Sequence, residues 1–318
     1  MANNQEAHAL VDLRVGSFNA NGLGNKHKRD LVLNWLNGKR ETIIFIQESH
    51  STPCIEQDWR KTWDGEIIFN HGTSNSTGVA ILFNKCILGN IKILNHVHIV
   101  PGRATLVDVE SGDKVFGLVN VYCPNNDDVA FINTVFLEAC ATTKSDNLIL
   151  AGDWNTVLDN GLDKNGGSAS HKNSNCQSKL NSIMGDWGFS DVYRLENPNT
   201  RVYTHFDKQH NTQSRLDFFL VDDNIVNMPI CSSSISHGFK SDHSYVALTI
   251  QGNPISHGRG YWKFNNSHLQ SEEFTRNVMD IITETLSGSF DSFNGVWDTI
   301  KFRIKDYAIY FGKKTKKT

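Results

Sequence analysis

A succession of short apolar runs, each closed by turn-forming or polar residues, most constrains what this chain can fold into. Residues 13–18, 43–46, 79–83, 104–109, 115–122, 148–151, 216–221 and 245–250 are rich in Val, Ile, Leu and Phe. These are the side chains that fit a pleated, half-buried strand. Helical stripes fall between some of them. Leu31, Val32, Trp35 and Leu36 share one face, with Gly38 as a stop. Ile132, Val135, Phe136 and Ala139 form a second stripe, and Leu180, Ile183, Met184 and Trp187 a third, stopped by Gly188. Many strands with a few interspersed helices predict two packed, mainly antiparallel β-sheets flanked by helices, an α/β (α+β) four-layer sandwich. With 39% apolar and 20% charged residues, the chain has the composition of a packed core rather than of a disordered segment.

The pattern changes near residue 251. Residues 251–260 are polar, with three glycines and one proline, and read as the start of a linker. Ser271 followed by Glu272 and Glu273 marks a helix start. Phe274, Val278, Ile281 and Ile282 continue it, and Val296, Ile300, Ile304, Tyr307 and Phe311 form another helical stripe. The expected organisation is a flexible tail over 1–12, a main domain over 13–250, a linker over 251–270 and a helical basic extension over 271–318. The net charge of −3 argues against a protein that coats nucleic acid by charge alone. The distribution is uneven, however. Residues 301–318 hold seven Lys/Arg and one Asp, a net +6, which leaves −9 on the other 300 residues. The sequence stops within this basic run, so further domains are expected beyond it.

Six cysteines lie at least 17 positions apart, so no C-x-x-C pair exists, and they read as thiols in a reducing compartment. The polar N-terminus shows no signal peptide. No apolar run approaches the ~20 residues that span a bilayer. A soluble nuclear or cytosolic protein with no membrane partner is expected.

Polar residues sit where the strands should end: Asn19 and Asn21 after the first run, Gln47-Glu48 after the second, Gly152-Asp153-Trp154-Asn155 after the sixth and Ser241-Asp242-His243 before the last. Neighbouring strand ends bring such groups together. Taken with Tyr122-Cys123-Pro124-Asn125 and Arg215-Leu216-Asp217, and in this order, they resemble the endonuclease/exonuclease/phosphatase superfamily, the DNase I-like fold, over residues 13–250. Asp191-Val192-Tyr193-Arg194, Tyr203-Thr204, Ser214-Arg215-Leu216-Asp217 and Gly260-Tyr261-Trp262-Lys263-Phe264-Asn265 resemble the endonuclease of LINE-type (non-LTR) retrotransposons and the stretch leading to its reverse transcriptase. The alternative is an apurinic/apyrimidinic repair endonuclease. Against it stand Asn21, where those enzymes usually carry Asp, and Ser214, where they commonly carry Trp.

The resemblance implies a metal-dependent endodeoxyribonuclease that nicks double-stranded target DNA and leaves a 3′-hydroxyl to prime reverse transcription. Because the substrate is anionic and gains charge at its oxygens in the transition state, Mg²⁺ is the expected cofactor, with Mn²⁺ as a substitute. Glu48 is the leading metal ligand, with Asn19, Asn21 and Asp242 beside it. Asp153 orients or deprotonates the attacking water, Asn155 holds the phosphate or Asp153, and Tyr122 donates its hydroxyl to the phosphate. His243, paired with Asp217, neutralises charge on the phosphoryl oxygens; the other twelve histidines read as polar surface. Thr204, Phe206, Lys208, Arg215, Asn125 and Arg103 are candidate DNA contacts, with Lys164, Lys172 and Arg201 as further cations. Residues 206–213 should form a protruding hairpin that chooses the nick site. Other expected partners are the reverse transcriptase of the same polyprotein, and the element RNA through the basic C-terminus. The expected site of action is the nucleus, after synthesis in the cytoplasm. A lipid or inositol-phosphate phosphatase of the same fold, or an inactive DNA-binding copy, are weaker readings.

Overall fold

In a computed structural model the chain is described at residues 12–85, 91–166, 174–252, 264, 266–288 and 293–315. Its elements are β1 (Asp12–Asn19), α1 (Lys26–Asn37), β2 (Ile43–Gln47), α2 (Glu56–Thr62), β3 (Ile67–Asn70), β4 (Val79–Phe83), β5 (Ile91–Val100), β6 (Ala104–Ser111), β7 (Lys114–Tyr122), α3 (Val129–Thr142), β8 (Leu148–Asp153) and β9 (Lys164–Asn165). They continue with α4 (Asn175–Trp187), β10 (Phe189–Asp191), α5 (Val192–Glu196), β11 (His205–Asp207), β12 (Thr212–Ser214), β13 (Asp217–Asp222), α6 (Asp223–Val226), β14 (Ile230–Ser236), β15 (Tyr245–Gln251), α7 (Glu272–Leu286) and α8 (Phe293–Thr315).

One six-stranded sheet runs β14-β15-β1-β2-β4-β3 and the other β10-β13-β8-β7-β6-β5. Both are mixed: β1–β2 and β7–β8 are parallel and the remaining pairs within them antiparallel. Strand alternation explains the layers. In β2, Ile43 and Phe45 point into the core between the sheets, against Val107, Leu118, Ile149 and Phe219. Ile44 and Ile46 point outward, under Val32, Leu33 and Leu36 of α1 and Trp59 of α2. The outer face of the second sheet, including Leu106, Val119 and Leu150, is covered by Phe136 of α3 and Leu180 of α4. Each such buried side chain contributes about 1.5–3 kcal/mol over its exposed state. The helices carry their own punctuation. Asn25 and Ser174 cap α1 and α4 through side-chain acceptors, and Gly188 ends α4 at φ 72°, a left-handed conformation that favours glycine.

The expected sandwich of two flanked, mainly antiparallel sheets is therefore present, each sheet carrying one parallel pair. Three further strands lie outside the expected runs. These are β3, β5, whose sides alternate in burial, and the serine-rich β14 at a sheet edge.

The topology brings the chemistry to one end. β1 and β2 are parallel and finish together, as do β7 and β8, while β13 and β15 run the other way and begin there. Beneath that end a buried polar tie joins the sheets: Gln47 Nε2 donates to Ser17 Oγ (3.0 Å) and Asn120 Oδ1 (2.7 Å). Asn120 in turn donates to the carbonyls of Ile46 and Ala80. A buried network of this kind holds its members in one arrangement, although Gln47 Oε1 is left without a hydrogen-bond partner.

The chain divides into two compact units, Met1–Pro254 and Ile255–Thr318. In the second, Phe274, Ala308 and Phe311 form a small core with Phe264, Val278 and Tyr307, so α7 and α8 pack on each other. Ser271 caps α7 by accepting from Phe274 N. The expected tail at 1–11, residues 260–263 and 265 of the last motif, Lys172 and residues 316–318 lie outside the described residues. Among the described residues no helix is long and apolar enough to cross a membrane.

Candidate active site

The site is built from strand ends. Asn19, the last residue of β1, is fully buried. Its amide Nδ2 donates to Glu48 Oε1 (3.0 Å) and to Asp153 Oδ2 (2.8 Å). Its Oδ1 accepts from Asn21 N (2.9 Å). Both polar ends of Asn19 are thus committed to ordering its neighbours. Tyr122 closes β7 and donates its hydroxyl to the same Glu48 Oε1 (3.0 Å). Burial, followed by the Glu48 charge, raises the pKa of the phenol, so it remains a donor. Glu48 itself, like Asn21 and Asn155, sits at positive φ (47–49°). Strained backbone at three site residues marks loops shaped for their side chains.

Asp153 ends β8 beside Gly152, whose φ of 151° and 1.8 Å approach of a virtual Cβ to Val121 O admit only glycine. Asp153 Oδ1 accepts from Asn155 N (2.9 Å), and Asn155 Nδ2 donates to Cys123 O (2.7 Å). Asn155 therefore shapes the Asp153 loop. Burial, with the nearby Asp217 charge, pushes the Asp153 pKa up to about 6, against the pull of His243.

His243 precedes β15 and is 7% exposed. Its Nδ1 lies 2.9 Å from Asp217 Oδ2, while Nε2 stands 3.9 Å from Asp153 Oδ2, beyond hydrogen-bond length. Burial lowers the His243 pKa, but the Asp217, Asp153 and Asp242 carboxylates more than offset it and lift it to about 10. The ring is an imidazolium at neutral pH, with one N–H aimed toward Asp153. The Asp242 carboxylate is held well below the ordinary range, first by the His205 ring and then by His243 and the Asn21 amide. Asn21 Nδ2 donates to Asp242 Oδ1 (2.9 Å). Ser241 is not poised as a nucleophile; its Oγ donates to Asn19 O and accepts from His243 N, shaping the turn.

Two carboxylates, Glu48 and Asp242, are ionisable groups reachable from solvent, with side-chain exposures of 23% and 38%. Glu48 Oε1 is spoken for, whereas Oε2 has only His50 Nε2 at 3.8 Å. Hard oxygen donors with open sides suit Mg²⁺ or Mn²⁺, which keep several waters and phosphate oxygens. Among the described residues two other groups bring three possible ligand atoms within 4.8 Å: Asp153–Asp217–His243 and His205–Asp242–His243. Both include His243, whose Nδ1 already faces Asp217.

A family match decides what this geometry belongs to: the Endonuclease/Exonuclease/phosphatase family aligns with residues 16–243, which run from β1 to the His243 turn. The chain belongs to that family. Its sequence is also 29% identical over 299 residues to a Xenopus laevis protein described as the Transposon TX1 uncharacterized 149 kDa protein. That match covers 92% of this chain, which spans only 22% of the other's length. Three solved structures share the fold. The AP endonuclease LMAP from Leishmania major has a TM-score of 0.61 at 14% identity, over 76% of this chain and 89% of that one. The Xenopus laevis APE2 catalytic domain gives 0.60 at 18%, over 76% and 93%. The 3′ phosphatase NExo from Neisseria, bound to a product DNA hairpin, gives 0.58 at 16%, over 75% and 99%.

Within this family member the sequence-predicted residues divide. Asn19, Asn21, Glu48, Tyr122, Asp153, Asn155, Asp217, Asp242 and His243 are joined by the hydrogen bonds above. Phe206 (37% exposed), Lys208 and Arg201 stand at the surface, with Phe206 and Lys208 on the β11–β12 hairpin. Asn125 and Lys164 line a separate 310 Å³ cavity beside Asn155 and Ser214. Arg103 is partly buried over the Tyr122 ring, 5.0 Å from its centroid.

Two expectations are overturned. Arg215 is fully buried and cannot reach DNA. Its guanidinium grips Asp163 through Nε (2.7 Å) and Nη2 (3.1 Å), and Nη1 pairs with Asp191 Oδ2 (2.6 Å). Thr204 is buried as well. Its Oγ1 accepts from the backbone N–H of Leu216 (2.9 Å) and Asp217 (3.0 Å), holding the start of β13 instead of a phosphate.

One residue was missed. The His205 ring centroid lies 4.6 Å from that of His243, and the two backbones form a β-bridge. No local signal separated His205 from eleven other surface-like histidines; the contact crosses 38 positions of chain.

Proposed function

We propose that this chain is a Mg²⁺-dependent endodeoxyribonuclease that nicks target DNA by phosphodiester hydrolysis and leaves a 3′-hydroxyl able to prime reverse transcription. The observation that carries the reading is the hydrogen-bonded chain Asp153–Asn19–Glu48–Tyr122 with the Asp217–His243 pair beside it, at the end of both sheets. It sets a cation-side carboxylate, Glu48, a proton-accepting carboxyl, Asp153, and an imidazolium, His243, at one end of the sheets.

Each group has a defined task. Glu48 and Asp242 would hold the divalent cation, which when bound polarises the phosphate and offsets its growing charge. Asp153, titrating near 6, accepts a proton from the attacking water, which suits a general base at physiological pH. His243 presents Nε2–H to a phosphoryl oxygen, and Asp217 fixes the ring. Tyr122 and Asn19 keep Glu48 in place. The β11–β12 hairpin, with Phe206 and Lys208 exposed, chooses the nick site by groove shape.

The match to a transposon protein supports a retrotransposon origin, with a reverse transcriptase elsewhere in a longer polyprotein and action in the nucleus. On this reading residues 13–250 are the nuclease, 251–270 a linker, and 271–318 a basic extension toward the reverse transcriptase and the element RNA.

The test follows the product. Supercoiled plasmid nicked by the protein should be extended by a DNA polymerase with no end repair, since the nick carries a 3′-hydroxyl. Nicks that need phosphatase treatment first would contradict the reading. So would activity confined to an abasic oligonucleotide run alongside.

A further inference from the structure

His205 lines the same opening on the first unit as His243. A cavity of 760 Å³ is lined by Asn21, His205, Phe206, Lys208, Lys240, Asp242 and His243, among others. His243, 7% exposed, meets solvent here, and the His205 side chain is 24% exposed on the same wall. A phosphate reaching His243 Nε2 through this cavity passes the His205 ring.

The two histidines are arranged alike. His243 is backed by Asp217 and His205 by Asp242, whose Oδ2 lies 3.7 Å from His205 Nε2. At 3.7 Å that contact is beyond hydrogen-bond length, so an N–H at His205 Nε2 keeps capacity for another acceptor. His243 Nε2 is in the same condition, 3.9 Å from Asp153. One nitrogen of each ring falls within 4.8 Å of the other. Two non-bridging oxygens of one phosphate are separated by roughly 2.5 Å, and each accepts at about 2.8 Å, so a single phosphate fits between donors at that spacing. Each ring has a carboxylate beside it.

We infer that His205 is a second phosphate-binding residue, which together with His243 grips the non-bridging oxygens of the scissile phosphate as a paired donor. This deepens the proposed nuclease activity and rests on it. Because the phosphoryl oxygens gain charge on the way to the transition state, a donor aimed at them acts more on turnover than on binding. The β-bridge between His205 and His243 fixes the spacing of the pair, and the hairpin that begins at His205 ties it to the DNA-facing surface.

The experiment compares wild type, His205→Phe, His205→Ala and His205→Gln on supercoiled plasmid with Mg²⁺, reading kcat and KM separately. Circular dichroism and thermal melts report folding. His205→Phe keeps the ring and its packing but loses the donor; His205→Gln keeps an N–H. The expected result is a kcat reduced about 10- to 100-fold in the Phe and Ala variants with KM within about threefold, and partial recovery in the Gln variant. A folded His205→Phe protein that nicks at the wild-type kcat would overturn this inference and leave the proposed function standing. A folded Gln variant as impaired as Phe overturns the donor role. Wild type inert on every DNA tested overturns the proposed function, and this inference with it.

Discussion

Two buried ionic groups begin two residues apart in the chain and come to opposite ends. Arg215 lies in a closed cluster. Asp163 receives two of its nitrogens, Asp191 a third, and Arg194 adds a further pair to Asp163 while tying down the carbonyls of Asn197 and Thr200. Arg215 and Asp163 have no exposure at all. Asp217 begins an open cluster. It holds His243, but the outward nitrogen of His243 meets no partner within hydrogen-bond length, and Asp217 Oδ1 is buried without a partner. The closed group spends its charges on itself and anchors the loop that carries β9 to the start of β13. The open group keeps a charge in reserve at a cavity. Both clusters keep buried polar atoms without a hydrogen-bond partner, Asp217 Oδ1 in one and Arg215 Nη1, Asp191 Oδ2 and Arg194 Nε in the other. What separates them is that His243 borders a cavity.

The comparison is broken most easily by removing one member of each group. Glu48→Ala should lower plasmid nicking at least about 10³-fold while leaving the melting temperature nearly unchanged, since the loss falls on the transition state. His243→Ala should lower nicking as much but also lower Tm, because it strands the buried Asp217. A large drop in stability with Glu48→Ala would show that the open cluster is structural after all. Arg215→Ala should behave in the reverse sense. Stranding Asp163 and Asp191 in the interior costs about 3–5 kcal/mol, a fall of roughly 10 °C in Tm, measurable by calorimetry. If that protein melts like wild type, the closed cluster carries no structural load.

Titration sharpens the contrast. The proposed mechanism needs Asp153 without its proton and His243 with one. The rate should therefore rise as pH climbs through about 6 and fall as it approaches about 10, the values set by burial and neighbouring charges. The two limbs belong to the coupled pair. In Asp153→Asn the acid limb should vanish along with most of the activity, and a residual rate that still rises through pH 6 would assign that limb elsewhere. The smallest effect belongs to the rim. Phe206→Ala should change the overall nicking rate by less than about threefold while redistributing nicks on an end-labelled duplex. An unaltered ladder would remove the hairpin from site selection.

What the sequence disclosed follows the same division. The core strands were legible because their apolar runs are continuous: β2 and β4 are buried along their whole length. β5 and β14 were not, because one side of each meets solvent and their residues alternate or are serines. At the site, residues with a fixed local setting, such as Asp153 after Gly152 or His243 after Ser241-Asp242, could be read from their motifs. Arg215 was misread as a DNA contact because its burial depends on Asp163, 52 positions earlier, and on Asp191. His205 was passed over for the same reason, since only the pairing with His243 distinguishes it. Neither long-range partner leaves a local trace.

The central claim, that the open cluster hydrolyses DNA with a divalent cation, meets its most direct test in one gel. Wild-type and His243→Ala proteins are incubated with supercoiled plasmid, Mg²⁺ and, in parallel lanes, EDTA. Conversion to open circles by wild type with Mg²⁺, absent with EDTA and absent in the variant, is the result expected. Open circles formed equally by His243→Ala, or in the presence of EDTA, would contradict it.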